Sequence, residues 1–450
     1  MTSLGNASMS FSTRLLLGLY QVFWYLALPI ALLRLLWKSR LQKEYRAHIN
    51  ERLGFSWPVN DRQPRIWVHA VSVGETRAAA PLIDSLIARG EQILLTHMTP
   101  TGRATGQQIF SELIQKGQLV QAYLPYDIAW AVSSFYRHFS IKLGLIMETE
   151  VWPTLVMAAQ KKSLPIILVN ARLSERSARR ISRFKQFANA VYGAFHQILA
   201  QTNLDAKRYL SLGLRNVQIT GNLKFDVQAN QTQIEHALQI KKRLPSNLQI
   251  ICAASTREGE EEIIIQAWKQ WAERLENRVN ARLLIVPRHP QRFETVNQLL
   301  ESNFDQTGRR SMSTNEQSFA DLIVGNSIIL GDTMGEMSLY YALSDIVIMG
   351  GSLQPLGGQN FIEACALGRP IILGEHTFNF QQASRDVIDA NAAIRVFDVE
   401  DLVKAIDLLL SNQTIKENMG AHALDFANQH TGATEKILQV VQTIQKSQKS

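Results

Sequence analysis

Twice along this chain, short runs rich in Ile, Val and Leu alternate with stretches of helical periodicity. That pattern admits little besides mostly parallel sheets covered by helices on both faces. In the first series the runs are residues 66–70, 92–96, 119–124, 143–147, 165–170 and 197–200. A polar stretch, 221–249, then lacks a strand signal until Leu248 and reads as a junction. The alternation restarts at 248–254 and continues through 282–287, 328–330, 345–349 and 371–373. Helical stretches at 400–410 and 415–429 close the second series, and 431–450 reads as a partly helical, fraying polar tail. At 450 residues the chain is too long for one ordinary core. The expected architecture is α/β, with two Rossmann-like domains facing a cleft, residues 48–222 and 223–430. Ligands of such sheets bind beyond the carboxyl ends of the strands, so chemistry is expected in the loops that follow them.

Ahead of the first series lies the one membrane signal. LLLGLYQVFWYLALPIALLRLLW, residues 15–37, is nearly all apolar and aromatic, and about twenty such residues suffice to span a bilayer. Gln21, Pro29 and Arg34 interrupt it. A spanning helix and a helix lying in the interface both fit, with Trp24, Tyr25 and Trp37 as anchors. Lys38, Arg40, Lys43, Arg46 and Arg52 follow it, against Arg14 alone before it, which places the body on the cytoplasmic side. Residues 1–47 thus read as an anchor with a basic flank. A formal net charge of +8 and a pI of about 9.4 favour anionic partners. No aromatic-studded basic repeat or zinc-finger spacing supports nucleic acid as one of them. Cys252 and Cys365 each stand beside apolar or small residues and read as buried thiols in a reducing compartment. The run from Arg172 to Lys185 includes Arg176, Arg179, Arg180 and Arg183. It is the pattern of a solvated helix face, with contact to lipid phosphates as the second reading.

The loops after strands carry the residues that can do chemistry. HAVSVGE ends in Glu75 at the start of a helix, where a carboxylate is either a favourable terminal charge or a general base. METEVWP puts Glu148 and Glu150 after an apolar strand, suited to capping, to orienting a catalytic group or to a sugar hydroxyl. GNLKFD puts Lys224 at the junction, either solvated or placed to neutralise charge on a phosphate leaving group. Pro287 and Arg288 follow another strand in PRHP, where Arg288 and His289 suit a phosphate or a nucleobase. Met334, Gly335 and Glu336 open a helix and offer N–H groups to an anion. In GGSLQPLGGQNFIEA, glycines separate a strand from a helix that begins near Asn360, Phe361, Ile362 and Glu363. Singly, each loop is also what an ordinary βα turn looks like. Several on the strand ends of one domain point to a nucleotide site. The chain lacks a G-x-x-x-x-G-K-[ST] phosphate loop, H-E-x-x-H, C-x-x-C and G-x-S-x-G.

Taken together and in order, HAVSVGE, MTPTG, YLPYD, METEVWP, NARLSERS, GNLKFD, PRHPQRF, GDTMGEM and GGSLQPLGGQNFIEA closely resemble the 3-deoxy-D-manno-octulosonic acid (Kdo) transferases of Gram-negative lipopolysaccharide synthesis. The resemblance implies an inverting B-type glycosyltransferase at the cytoplasmic face of the inner membrane. Its donor would be CMP-Kdo and its acceptor lipid IVA, the phosphorylated lipid A precursor. It implies that Glu75 is the proton acceptor and that Glu148 and Lys224 stabilise the transition state. It assigns CMP contacts to Pro287, Arg288, Met334, Gly335, Glu336 and Asn360 through Glu363. The 48–222 domain would hold the acceptor and the base, the 223–430 domain would hold CMP-Kdo, and closure would bring them together. Gln359 departs from the family, where a histidine is common, and Ala364 follows Glu363. One phosphate leaves and no acidic metal cluster is evident, so neither cofactor nor metal is expected. The other readings are a B-type transferase or epimerase using a UDP-sugar, and a membrane-tethered nucleotide-binding protein without turnover.

Overall fold

The computed structural model describes residues 10–40, 42–58, 62–226, 229–273 and 280–449. Residues 1–9 of the expected anchor segment, 227–228 of the junction and Ser450 of the tail lie outside the described residues. The chain divides into two compact units, Met1–Asp226 with Thr431–Ser450, and Val227–His430. The boundary thus falls after Asp226, slightly beyond the expected one, and the expected tail returns to the first unit as the helix Ala433–Lys449. Its apolar residues explain the return. Ala433, Ile437, Leu438, Val441 and Ile444 share one stripe and are buried in a cluster with Ala78, Leu82 and Leu86. Full burial of each large side chain contributes about 1.5–3 kcal/mol.

The first unit holds a parallel seven-stranded sheet in the order β3-β2-β1-β4-β5-β6-β7. Its strands are β1 (Arg65–His69), β2 (Ile93–His97), β3 (Leu119–Tyr123), β4 (Ile141–Met147), β5 (Ile166–Ala171), β6 (Gln197–Ala200) and β7 (Val217–Ile219). Residues alternate between its two faces. Ile66 and Val68 of β1 join the layer containing the C-terminal helix, while Trp67 joins the opposite layer with Phe135 and Leu155. Both faces are covered, so the strands are mostly apolar, and β1, β2 and β3 are buried along their whole length.

The second unit repeats the plan in the order β10-β11-β9-β8-β12-β13-β14, again all parallel. Here the strands are β8 (Gln249–Thr256), β9 (Ala281–Pro287), β10 (Thr307–Arg309), β11 (Ile328–Leu330), β12 (Ile346–Met349), β13 (Ile371–Leu373) and β14 (Ala393–Arg395). Every strand read from the sequence is present. β7, β10 and β14 were not foreseen. Each is three residues long, lies at a sheet edge with one neighbour and is partly exposed, so no apolar run announces it. Chain direction across each sheet reverses between β1 and β4, and between β8 and β12. Such switch points open a crevice at the carboxyl ends of the strands.

Ahead of β1 runs α1 (Phe11–Lys38), a 28-residue helix capped by Ser10. It is the one described helix long and apolar enough to cross a membrane by length and composition.

Candidate active site

Glu75, Glu148 and Lys224 all belong to the first unit. The helix after β1 begins at Val73, so Glu75 is its third residue. The reason is a reciprocal capping box. Ser72 Oγ accepts from Glu75 N at 3.4 Å, and Glu75 Oε2 accepts from Ser72 N at 3.2 Å and from Val71 N. The helix-terminal reading of Glu75 is therefore realised. One oxygen is tied to backbone, and the carboxyl as a whole is pushed up to about 7, chiefly by burial and then by the Glu148 charge. A carboxyl in that range changes charge near neutrality, where a general base is most effective.

Glu148 follows β4 on the other side of the switch point, with φ at 54° in the left-handed region. Its capping reading is not realised. The helix Pro153–Lys161 is capped by the Asp127 carboxylate, which accepts from Thr154 N at 2.9 Å and Leu155 N at 2.8 Å. Glu148 instead pairs with Lys224, Oε1 to Nζ at 2.9 Å. Its side chain is 15% exposed and that of Lys224 36%, so the pair opens to solvent on the lysine side.

Two residues given no role beforehand hold this pair. Asn170, fully buried near the end of β5 with φ at 53°, accepts from Leu223 N at 3.0 Å through Oδ1. Its Nδ2 lies 3.5 Å from Glu148 Oε1. Lys224 sits in the short helical turn Leu223–Phe225, which ends at Asp226. Asp226 in turn accepts from Gly432 N at 2.7 Å, Ala433 N at 3.2 Å and Thr434 N, the free donors of the C-terminal helix. Asn170 stands one residue before the end of β5 and Asp226 closes GNLKFD, so the signal was an amide and a carboxylate near element ends. Their partners lie too far away in sequence to be read there.

The nucleotide candidates belong to the second unit. Pro287 ends β9, and Arg288 N donates to Thr256 O at 2.9 Å, tying this loop to the end of β8. Met334 is exposed, and Gly335 (φ 81°) makes the turn before the helix Met337–Leu343. Glu336 caps that turn already engaged, with Arg310 at 2.9 Å and Thr333 Oγ1 at 2.5 Å. Asn360 Oδ1 accepts from Ile362 N at 3.1 Å and so opens the helix Ile362–Ala366. Phe361 and Ile362 are buried. Glu363 accepts from Ser338 Oγ, and burial pushes its carboxyl up. Burial pushes the Tyr341 hydroxyl up, with the Glu363 charge adding to the shift and Arg288 opposing it.

The glycine loop after β12 is held from below. A Cβ on Gly350 would lie 2.3 Å from Ser255 O, so only glycine allows this approach. Glu260, fully buried and also unforeseen, accepts from Gly351 N at 2.6 Å and Leu353 N at 2.9 Å. Among the described residues no group of three or more His, Cys, Asp or Glu side chains is arranged to hold a metal ion.

Residues 47–227 match the family model for 3-deoxy-D-manno-octulosonic-acid transferase (kdotransferase). The chain is 40% identical over 379 residues to the 3-deoxy-D-manno-octulosonic acid transferase of Bordetella pertussis, covering 84% of this chain and 86% of that protein. It is 34% identical over 403 residues to that of Haemophilus influenzae, covering 88% and 91%. Among solved structures, the UDP-GlcNAc 2-epimerase of Neisseria meningitidis bound to UDP-GlcNAc covers 84% of this chain and 100% of its own. Its TM-score is 0.54 and its identity 14%, a likeness of fold alone. The chain belongs to the 3-deoxy-D-manno-octulosonic acid transferase family, glycosyltransferases of the B-type fold.

Proposed function

We propose that this Kdo transferase moves Kdo from CMP-Kdo to lipid IVA at the cytoplasmic face of the inner membrane. The carrying observation is Glu75, a half-buried carboxyl brought up to about 7 beside the Glu148–Lys224 pair. An acceptor hydroxyl is a poor nucleophile. Glu75 takes its proton as the oxygen bonds to the anomeric carbon. The bond from that carbon to the CMP phosphate breaks, and its electron pair stays on the phosphate oxygen. One direct displacement inverts the anomeric centre. Lys224, held by Glu148, and Arg288 meet the negative charge that grows during this step. Side-chain cations carry that task in this mechanism, which is metal-independent, and a chelator should leave turnover unchanged.

The donor is held by the second unit, with Glu363 accepting from ribose hydroxyls and the Pro287–Arg288 and Met334–Glu336 loops around the CMP. Thermal protection by CMP and none by UDP is expected; the reverse would favour the UDP-sugar reading. Mass spectrometry of lipid IVA incubated with CMP-Kdo and the full chain tests the whole proposal and counts the sugars added. A mass gain of one or more Kdo residues, lost in Glu75→Ala, supports it. Unchanged lipid IVA with an active donor would overturn it.

A further inference from the structure

We propose that α1 lies flat in the membrane interface as a one-leaflet anchor, gripping anionic lipid headgroups through a basic cluster at each end, and does not cross the bilayer. The inference rests on the membrane assignment above and decides its geometry. Contacts with the first unit run from the first turn of α1 to the last. Ser12 Oγ donates to Gln186 Oε1 at 3.1 Å, and Trp24, Leu28, Ala31 and Leu35 pack with Tyr126, Ile128 and Ala131. A helix docked along its whole length on a folded body cannot be surrounded by lipid.

The middle of the contact is polar. Tyr20 Oη donates to Asp127 Oδ2 at 2.9 Å, and Gln21 Nε2 donates to Asp127 O at 3.1 Å. Gln21 Oε1 accepts from Ala129 N at 3.0 Å, at the start of the helix Ala129–His138. Asp127 is 1% exposed, and its carboxylate also caps the helix Pro153–Lys161. Carrying α1 through hydrocarbon would either break these bonds or draw a carboxylate and two helix starts into a medium that cannot solvate them. Gln21, which looked in the sequence like a flaw in a membrane span, is the peg that holds the helix to the protein.

The opposite side of α1 is a single apolar stripe. Leu15, Leu19, Val22, Leu26, Ile30 and Leu33 fall at spacings of three or four, and each is more than half exposed. At 1.5 Å per residue the stripe is about 27 Å long. Charge at its two ends identifies the occupant. Gln186, bonded to the first turn, lies just beyond Arg176, Arg179, Arg180 and Arg183, with Phe184 57% exposed among them. At the other end stand Lys38, Arg40, Lys43 and Arg46. A spanning helix would put these clusters in opposite leaflets, yet both belong to one folded unit. An apolar stripe between two basic ends is the pattern of a helix lying on an anionic lipid surface.

The test uses the full chain, whose native Cys252 and Cys365 are buried. Single cysteines are placed by Ser12→Cys, by Ser182→Cys on the arginine helix, and by Leu26→Cys in the stripe. A membrane-impermeant maleimide is then applied to inner-membrane vesicles of each orientation. Ser12→Cys and Ser182→Cys should label from the same, cytoplasmic face, and Leu26→Cys from neither. Labelling of Ser12→Cys from the opposite face alone would overturn the proposal, as would disulfide-linked pairs through Leu26→Cys, which would assign the stripe to a second copy. Replacing Arg176, Arg179, Arg180 and Arg183 by Gln should weaken binding to phosphatidylcholine vesicles doped with phosphatidylglycerol by roughly tenfold or more, leaving neutral vesicles unaffected. Undiminished binding would remove the headgroup grip. Failure of the unmodified chain to sediment with either vesicle would instead refute the membrane assignment beneath it.

Discussion

Replacing Glu75 by Gln should abolish transfer and, above neutral pH, make the protein more stable. The folded state raises this carboxyl from 4.5 to about 7, mainly through burial. A carboxyl that holds its proton more tightly when folded contributes its full share to stability below the unfolded value. That contribution is lost as pH rises through 4.5 and levels off above about 7. At about 1.4 kcal/mol per pH unit, the interval sets a ceiling of about 3.5 kcal/mol on the cost of the charged form. Gln removes that cost but weakens the bonds to Val71 N and Ser72 N, since a neutral acceptor gives up about 1 kcal/mol relative to a charged one. The net expectation is about 1–2 kcal/mol, or a Tm rise of about 3–6 °C for a unit of this size. Scanning calorimetry of wild type and Glu75→Gln at about pH 5 and about pH 8 should show the gap opening only at the higher pH. A gap of equal size at both values, or a less stable variant at the higher one, would refute the reasoning.

Three other perturbations address the neighbours of Glu75. In the wild type, kcat/KM should rise with pH through about 7, and Glu148→Gln should move that limb to lower pH, because the second-largest cause of the Glu75 shift is gone; an unmoved limb would show that another group controls it. Lys224→Ala should lower kcat by about 10²–10³ with little change in donor KM, the signature of charge stabilisation in the transition state, and a KM effect alone would make Lys224 a binding residue. Asp226→Ala frees three N–H groups at the start of the C-terminal helix and should cost about 1–2 kcal/mol in a urea titration, with Asp226→Asn recovering part of it.

Much of this fold was legible because its strands are buried on both faces. A strand such as Ile93–His97, buried along its whole length, opens on the apolar run Ile93, Leu94 and Leu95, which shows in the sequence. β7, β10 and β14 escaped notice because an edge strand pairs on one side only and tolerates Gln218, Gly308 or Arg395. The helix Ala433–Lys449 was taken for a fraying tail because six Lys and Gln residues from Gln439 through Lys449 outweigh a narrow apolar stripe. Its destination, the first unit's core, has no local signature at all.

The residues at the strand ends, their chemical types and the family they spell out were settled by the sequence alone. A periodicity of two or three to four and a motif of a few residues are local properties. Only the tertiary structure decided what those residues do to one another. It placed the Glu148 carboxylate against Lys224, brought Asn170 and Asp226 in behind them and buried Glu75 far enough to shift its proton affinity. It likewise turned Gln21 from an interruption in an apolar run into a bonded contact with the Asp127 carbonyl and Ala129. Desolvation and charge proximity depend on distances through space, and those are created by packing between segments a hundred residues apart.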